Sequence, residues 1–286
     1  MNKYLVAYFT GTGSSEVVAK ELVKQFDEIN IANQLLYIKD EYDYNHNNLI
    51  IIYPVHAFNV PEQMEKWLDQ YQNSNLKNVV VIAVSGGGEM SPNTISHSRV
   101  KKKLKKKGII VTYEAAIVMP SNAAIIASEQ INSLLLKVLP LKIREIIADI
   151  VVGKSKMIKV NKFDYLFTHA YVFERMFARY WGKRIKCNDN CNQCGLCIRG
   201  CPTENIQLES NKITFNNKCC MCLKCLYYCP QNALYPTRFK FVILKEGYNI
   251  NDFIEKSKNA TVENIVYPKS ILWKGVNDYL EDVSKR

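Results

Sequence analysis

The chain has 286 residues, of which 48% are hydrophobic and 23% charged, and a formal net charge of +11. This is roughly two domains' worth of chain, and the composition excludes disordered, collagen-like and low-complexity proteins. The N-terminus has no long apolar run and does not read as a signal peptide. No segment is apolar over a length that would span a bilayer, so a cytoplasmic location is expected.

Short apolar runs at residues 4–9, 35–38, 49–53, 79–84 and 109–119 alternate with helical periodicity at residues 16–26, 61–71, 93–107 and 128–149. The alternation predicts an α/β domain over residues 1–150, a doubly wound five-stranded parallel sheet with crossover helices. Ligands of such sheets sit outside the carboxyl ends of the strands. The first such loop is Thr10, Gly11, Thr12, Gly13, Ser14 and Ser15, followed by a helix. Its hydroxyls and N–H groups form a cradle for a phosphate at a helix N-terminus. It lacks the Lys of a Walker loop and the G-x-G-x-x-G spacing of a dinucleotide loop, and taken alone it is equally well a plain strand-to-helix turn.

The loop after strand three is Pro54, Val55, His56, Ala57 and Phe58; the loop after strand four is Ser85, Gly86, Gly87 and Gly88. Met119, Pro120, Ser121 and Asn122, after strand five, lie at the same end and are a candidate further wall. Six of the seven residues 101–107 are Lys. No base-reading motif or aromatic platform accompanies them, so nucleic acid is not expected as a partner; acidic proteins or an anionic membrane surface suit such a run better.

Residues 151–186 hold nine Lys/Arg against two Asp/Glu. Phe163, Leu166, Phe167, Ala170, Phe173, Phe177, Tyr180 and Trp181 recur at three- and four-residue spacing, which predicts a helix with one apolar stripe and with Arg175 and Arg179 on the opposite face. The stripe is expected to pack two domains together; an interfacial membrane helix with basic flanks is the alternative.

All ten Cys fall between Cys187 and Cys229. In a reducing compartment such an array means metal or redox chemistry. Cys191, Cys194, Cys197 and Cys201 follow the spacing C-x2-C-x2-C-x3-C with Pro202 next, and Cys219, Cys222, Cys225 and Cys229 repeat it with Pro230 next. This is the spacing of two 4Fe-4S clusters in which the fourth Cys of each run ligates the other cluster. Cluster one is thus expected on Cys191, Cys194, Cys197 and Cys229, and cluster two on Cys219, Cys222, Cys225 and Cys201. Ile206, Ile213, Phe215 and Leu234 are the expected apolar filling, and Cys187 and Cys220 are read as spare thiols. Residues 238–286 predict a strand at 239–244 and helices near 252–257 and 270–282, a cover for the flanking domains.

The segment 187–237 resembles a bacterial-type two-cluster ferredoxin, and the Thr10–Ser15 loop after strand one resembles the FMN phosphate loop of flavodoxin. The layout of the first 237 residues resembles the flavodoxin-ferredoxin fusion proteins of anaerobic bacteria. The resemblance implies FMN with the loops at 54–58 and 85–88 flanking its ring, low-potential electron transfer, and a redox partner protein, with acidic partners suited to the basic chain. A flavoenzyme reducing a small oxidant such as a quinone is the alternative, and a ferredoxin with a flavin-free docking domain is a third.

Overall fold

Near-continuous apolar strands buried on both faces form the centre of the molecule, as parallel sheets require. The computed structural model describes residues 3–42, 45–73, 76–123, 127–260, 270 and 273–284. Strands β1 (Tyr4–Tyr8), β2 (Asn33–Tyr37), β3 (Asn48–Pro54), β4 (Asn78–Ser85) and β5 (Tyr113–Val118) pair in parallel in the order β2-β1-β3-β4-β5. This is the doubly wound order of the flavodoxin-like fold, with its switch point between β1 and β3.

Helices α1 (Ser14–Glu28) and α4 (Glu129–Val151) cover one face, burying Val18, Leu22 and Phe26 with Leu135, Leu139 and Ile143. Helices α2 (Glu62–Gln70) and α3 (Ser96–Lys106) cover the other through Met64, Trp67, Leu68, Val100 and Leu104. The last strand is shorter than the apolar run at 109–119. Pairing starts only at Tyr113, because the chain leaves α3 through Gly108, at φ +74, and Ile110 points into solvent.

The connector is not one helix. A 3-10 segment, Lys162–His169, leads into α5 (Ala170–Gly182). Nor does the apolar stripe pack inward as a whole. Trp181 and Ala178 are buried, but Phe163, Leu166, Phe173 and Met176 are exposed. The cause is the charged face. Arg175 donates to Glu65 at 2.7 Å and Arg179 to Glu62 at 3.0 Å, so α5 docks on α2 through its arginines and turns Val172, Phe173, Met176 and Tyr180 outward.

The cysteine segment contains β6 (Ile185–Cys187), α6 (Leu196–Arg199), β7 (Ile206–Glu209), β8 (Lys212–Phe215), α7 (Lys224–Tyr227) and β9 (Leu234–Pro236). It is built twice with an offset of 28 residues, 219 − 191 = 28 between the first Cys of each run. Left-handed residues recur at that offset: Gln193 and Met221, Gly195 and Leu223, Glu204 and Asn232. Pairing recurs too. Lys186 opposite Tyr235 matches Thr214 opposite Gln207, and Cys187 opposite Leu234 matches Phe215 opposite Ile206. The two halves are therefore exchanged by a pseudo-twofold, each lending a strand to the other's hairpin.

No strand forms at 239–244. Phe239 takes a left-handed φ of 53° and a 3-10 turn, Lys240–Val242, follows, dropping Val242 into the small core of Trp181 and Leu226. Helices α8 (Ile250–Ser257) and α9 (Lys274–Ser284) then pack on α4, and Tyr248, Ile250, Val276 and Leu280 join the main core.

Candidate functional site

The loop after β1 ends at Gly13, whose φ of +100 turns the chain into α1; a β-carbon there would stand 2.8 Å from Ile250. Thr10 Oγ1 accepts from Gly13 N at 3.0 Å and fixes the turn. Gly13 offers the helix no side-chain cap, so the first-turn N–H groups of α1 stay open to an anion. The Ser15 hydroxyl is buried without a hydrogen-bond partner among the described residues. An orphaned hydroxyl beside open N–H donors, with no cation in the loop, fits a phosphate ester.

A cavity of ≈200 Å³ opens beside this cradle. Thr10, Gly11, Thr12, Ser14, Ser15, Pro54, Val55, His56, Ser85 and Gly86 line it, together with Met119, Pro120, Ser121 and Asn122 after β5. Gly13 stands behind the loop. Ala57 and Phe58, at φ 41° and 64°, form a tight turn closed by paired 2.8 Å hydrogen bonds between His56 and Asn59. The Phe58 ring meets Phe167 of the connector edge-on at 5.3 Å and does not line the cavity. Gly87 and Gly88 face α9 instead, where a β-carbon on Gly275 would stand 2.1 Å from the Gly87 carbonyl.

Three residues outside the α/β domain complete the site, and although the cysteine spacing singled out one of them, nothing in the sequence placed any of the three beside this loop. Tyr228 donates to the Thr12 carbonyl at 2.9 Å. Tyr248 donates to the Pro120 carbonyl at 3.1 Å and, its one proton so used, accepts from Ser14 Oγ at 2.7 Å. Cys222 is the third and lines the cavity itself.

His56 Nδ1 lies 3.9 Å from Glu174 of α5. Burial pushes the His56 ring down to about 4, with Arg175 adding to it. Burial pushes the Glu174 carboxyl up to about 7, against the pull of Arg175 and with repulsion from Glu62. Both shifts favour the neutral forms, so between about pH 4 and pH 7 this contact is a neutral imidazole beside a carboxylic acid rather than an ion pair.

The thiols gather in two neighbouring groups. Cys191, Cys197 and Cys229 lie close enough for their thiolates to repel one another, with Cys187 beside them, and so do Cys201, Cys219, Cys222 and Cys225, with Cys220 beside them; Cys197 also acts on Cys225 across the two groups. Burial, and then the neighbouring thiolates of Cys222 and Cys201, push Cys219 up to about 12. Cys194 is exposed. The second set, with Cys220, lines a small hollow closed by Trp181, Ile206 and Phe215. Asn205 N donates to Cys201 Sγ and Ala233 N to Cys229 Sγ, each at 3.3 Å and each four residues on, which repeats the pseudo-twofold at the sulfur atoms. Among the described residues, no three His, Cys, Asp or Glu side chains converge as ligands of a single metal ion.

The two sites touch. A β-carbon at Gly11 would stand 2.6 Å from the Cys222 carbonyl oxygen. A larger cavity of ≈620 Å³, bordered by Lys142, Asp149 and Asp282, opens at the free edge of β5 and shares no residue with this one.

No protein-family model matches the chain, and no curated protein matches it. Among solved structures it is similar to the Fusobacterium nucleatum flavodoxin bound to flavin mononucleotide, at 16% identity over 54% of this chain and 100% of that one, with a TM-score of 0.40. A Pseudomonas aeruginosa flavodoxin mutant shares 11% identity over 53% of this chain and 97% of its own, with a TM-score of 0.39. The rubredoxin oxygen:oxidoreductase of Desulfovibrio gigas shares 15% over 52% of this chain but only 37% of its own, with a TM-score of 0.35.

Proposed function

We propose that the chain is an electron-transfer flavoprotein that binds FMN in the loop cavity and two 4Fe-4S clusters on the thiol sets, and passes electrons between them and an external redox partner. Cys191, Cys194, Cys197 and Cys229 would hold the first cluster; Cys219, Cys222, Cys225 and Cys201 would hold the second. The observation that carries this reading is Cys222, which belongs to the second thiol set and also walls the cavity.

The residues suit these groups. The phosphate of FMN would take the open N–H groups of α1 and the orphaned Ser15 hydroxyl. The four thiolates of a cubane bind four different irons, and the two Cys runs would supply four each. When bound, FMN exchanges electrons singly or in pairs and each cluster exchanges one, so the combination interconverts the two. The N–H groups of Asn205 and Ala233 stabilise charge on the sulfurs and so help set potential. Glu174, pushed up to about 7 by burial, would hold a proton beside His56, which itself lines the cavity.

A redox partner of acidic character fits the exposed Lys102, Lys105 and Lys106 of α3; Lys101 and Lys103 are tied to Glu114 and Asp69. One observation favours a second reading, reduction of a small acceptor such as a quinone: among the described residues no Phe, Tyr or Trp lines the cavity, which leaves a ring face accessible. Steady-state turnover with such an acceptor and no partner protein would support it.

Quantitation of iron, acid-labile sulfide and released flavin after anaerobic purification tests the proposal. About eight irons and one FMN per chain are expected. Eight irons without flavin, even after FMN is added, would leave an iron-sulfur protein with a flavin-free docking domain and overturn it.

A further inference from the structure

Most large apolar side chains of the connector are exposed, the reverse of what a segment facing water favours. Both acids of residues 151–186 face inward: Asp164 is 1% exposed and accepts from Ser91 and Thr94, and Glu174 lies against His56. Arg175 and Arg179 are engaged by Glu65 and Glu62. Phe163, Leu166 and Phe173 are left at 76%, 78% and 74% exposure, with Met176 beside them. The apolar face continues past the connector, since Phe239 meets Phe177 and Phe241 edge-on at 5.3 and 6.1 Å, and Phe241 is itself exposed. Exposed lysines adjoin it along the chain. Lys162 adjoins Phe163, Lys240 separates Phe239 from Phe241, Lys183 follows α5, and all three are exposed.

We propose that this face docks the protein on an anionic lipid bilayer, lying in the interface. Soluble monomers seldom leave a contiguous apolar patch of this kind in water, and aromatic side chains flanked by Lys match the boundary between acyl chains and headgroups. The adjoining lysines select anionic lipid, because the cytoplasmic-type surface potential attracts each charge near it. The same lysines disfavour a second copy of this chain, which would bring like charges face to face. Among the described residues no helix is long and apolar enough to cross a membrane. The inference stands on the connector and the turn at Phe239–Phe241 and is independent of flavin occupancy.

The test is flotation of the anaerobically purified full chain with vesicles of phosphatidylcholine, with and without phosphatidylglycerol. Binding is expected only to the phosphatidylglycerol vesicles, and to weaken as salt is raised. The pair Phe173→Ser and Met176→Ser should lower the partition coefficient at least about tenfold, and Lys162→Gln or Lys183→Gln about fivefold each. These side chains are exposed, so the variants should keep their iron content and far-ultraviolet dichroism. Three results would each overturn the proposal: no flotation at low salt, binding that survives the Phe173/Met176 pair, or lipid-free self-association that the same pair abolishes.

Discussion

Gly11 of the phosphate-type loop rests on the backbone of Cys222, and a β-carbon at Gly11 would fall 2.6 Å from the Cys222 carbonyl oxygen. The carbonyl is main chain and cannot swing aside as a side-chain end could. Gly11→Ala should therefore push the cysteine segment off the loop, costing roughly 1–3 kcal/mol. The unfolding midpoint should fall and FMN affinity with it. Unchanged values for both would show that the two sites are not in contact.

The crossed assignment of thiols makes a prediction about pairs. Cys191→Ala and Cys229→Ala remove ligands of the same proposed cluster, so the double variant should retain about four irons, as each single one does. Cys191→Ala with Cys201→Ala removes one ligand from each and should retain almost none. Equal iron in the two double variants would refute the crossing. Cys187→Ser and Cys220→Ser should leave iron unchanged.

Tyr248 ties the tail to the loop through Ser14 and the Pro120 carbonyl. Tyr248→Phe keeps the ring in the core and removes only the hydroxyl. A stability loss on the order of 1 kcal/mol is expected, measured by denaturant unfolding. A neutral result would mean that water replaces the hydroxyl at no cost.

His56 and Glu174 give stability opposing pH dependences. Glu174 sits at about 7 in the folded chain against an ordinary 4.5, so the unfolded state loses its proton first and stability falls as pH rises from 4.5 through 7. His56 sits at about 4 against an ordinary 6.5, so the unfolded state gains its proton first and stability falls as pH drops from 6.5 through 4. Between 4.5 and 6.5 the two nearly cancel. Glu174→Gln should therefore gain stability relative to the parent between pH 5 and pH 8, on the order of 2 kcal/mol, and His56→Gln should gain between pH 7 and pH 5. Parallel pH profiles for parent and variants would contradict the shifts.

The strand count and the loop cradle could be read from local pattern, because parallel strands and helix N-termini are dictated by nearby residues. The cysteine spacing carried the 28-residue repeat, though not its matched strand register. The connector's orientation could not be read. Periodicity gives the two faces of a helix but not which one points in, and that was decided by Glu62 and Glu65, about a hundred residues away on α2. Tyr228 and Tyr248 were missed for the same reason, since their roles come from where the cysteine segment and the tail fold back onto the loop. The strand expected at 239–244 failed at Phe239, whose left-handed turn no propensity would assign to a Phe.

The central claim, that flavin and clusters exchange electrons within one chain across the Gly11–Cys222 contact, is tested most directly by anaerobic stopped flow. The oxidised protein is mixed with less than one equivalent of reductant, and the cluster and flavin absorbances are followed at several protein concentrations. Exchange within one chain predicts that the two signals equilibrate at a rate independent of protein concentration. A rate rising in proportion to concentration would mean exchange between molecules, and would contradict it.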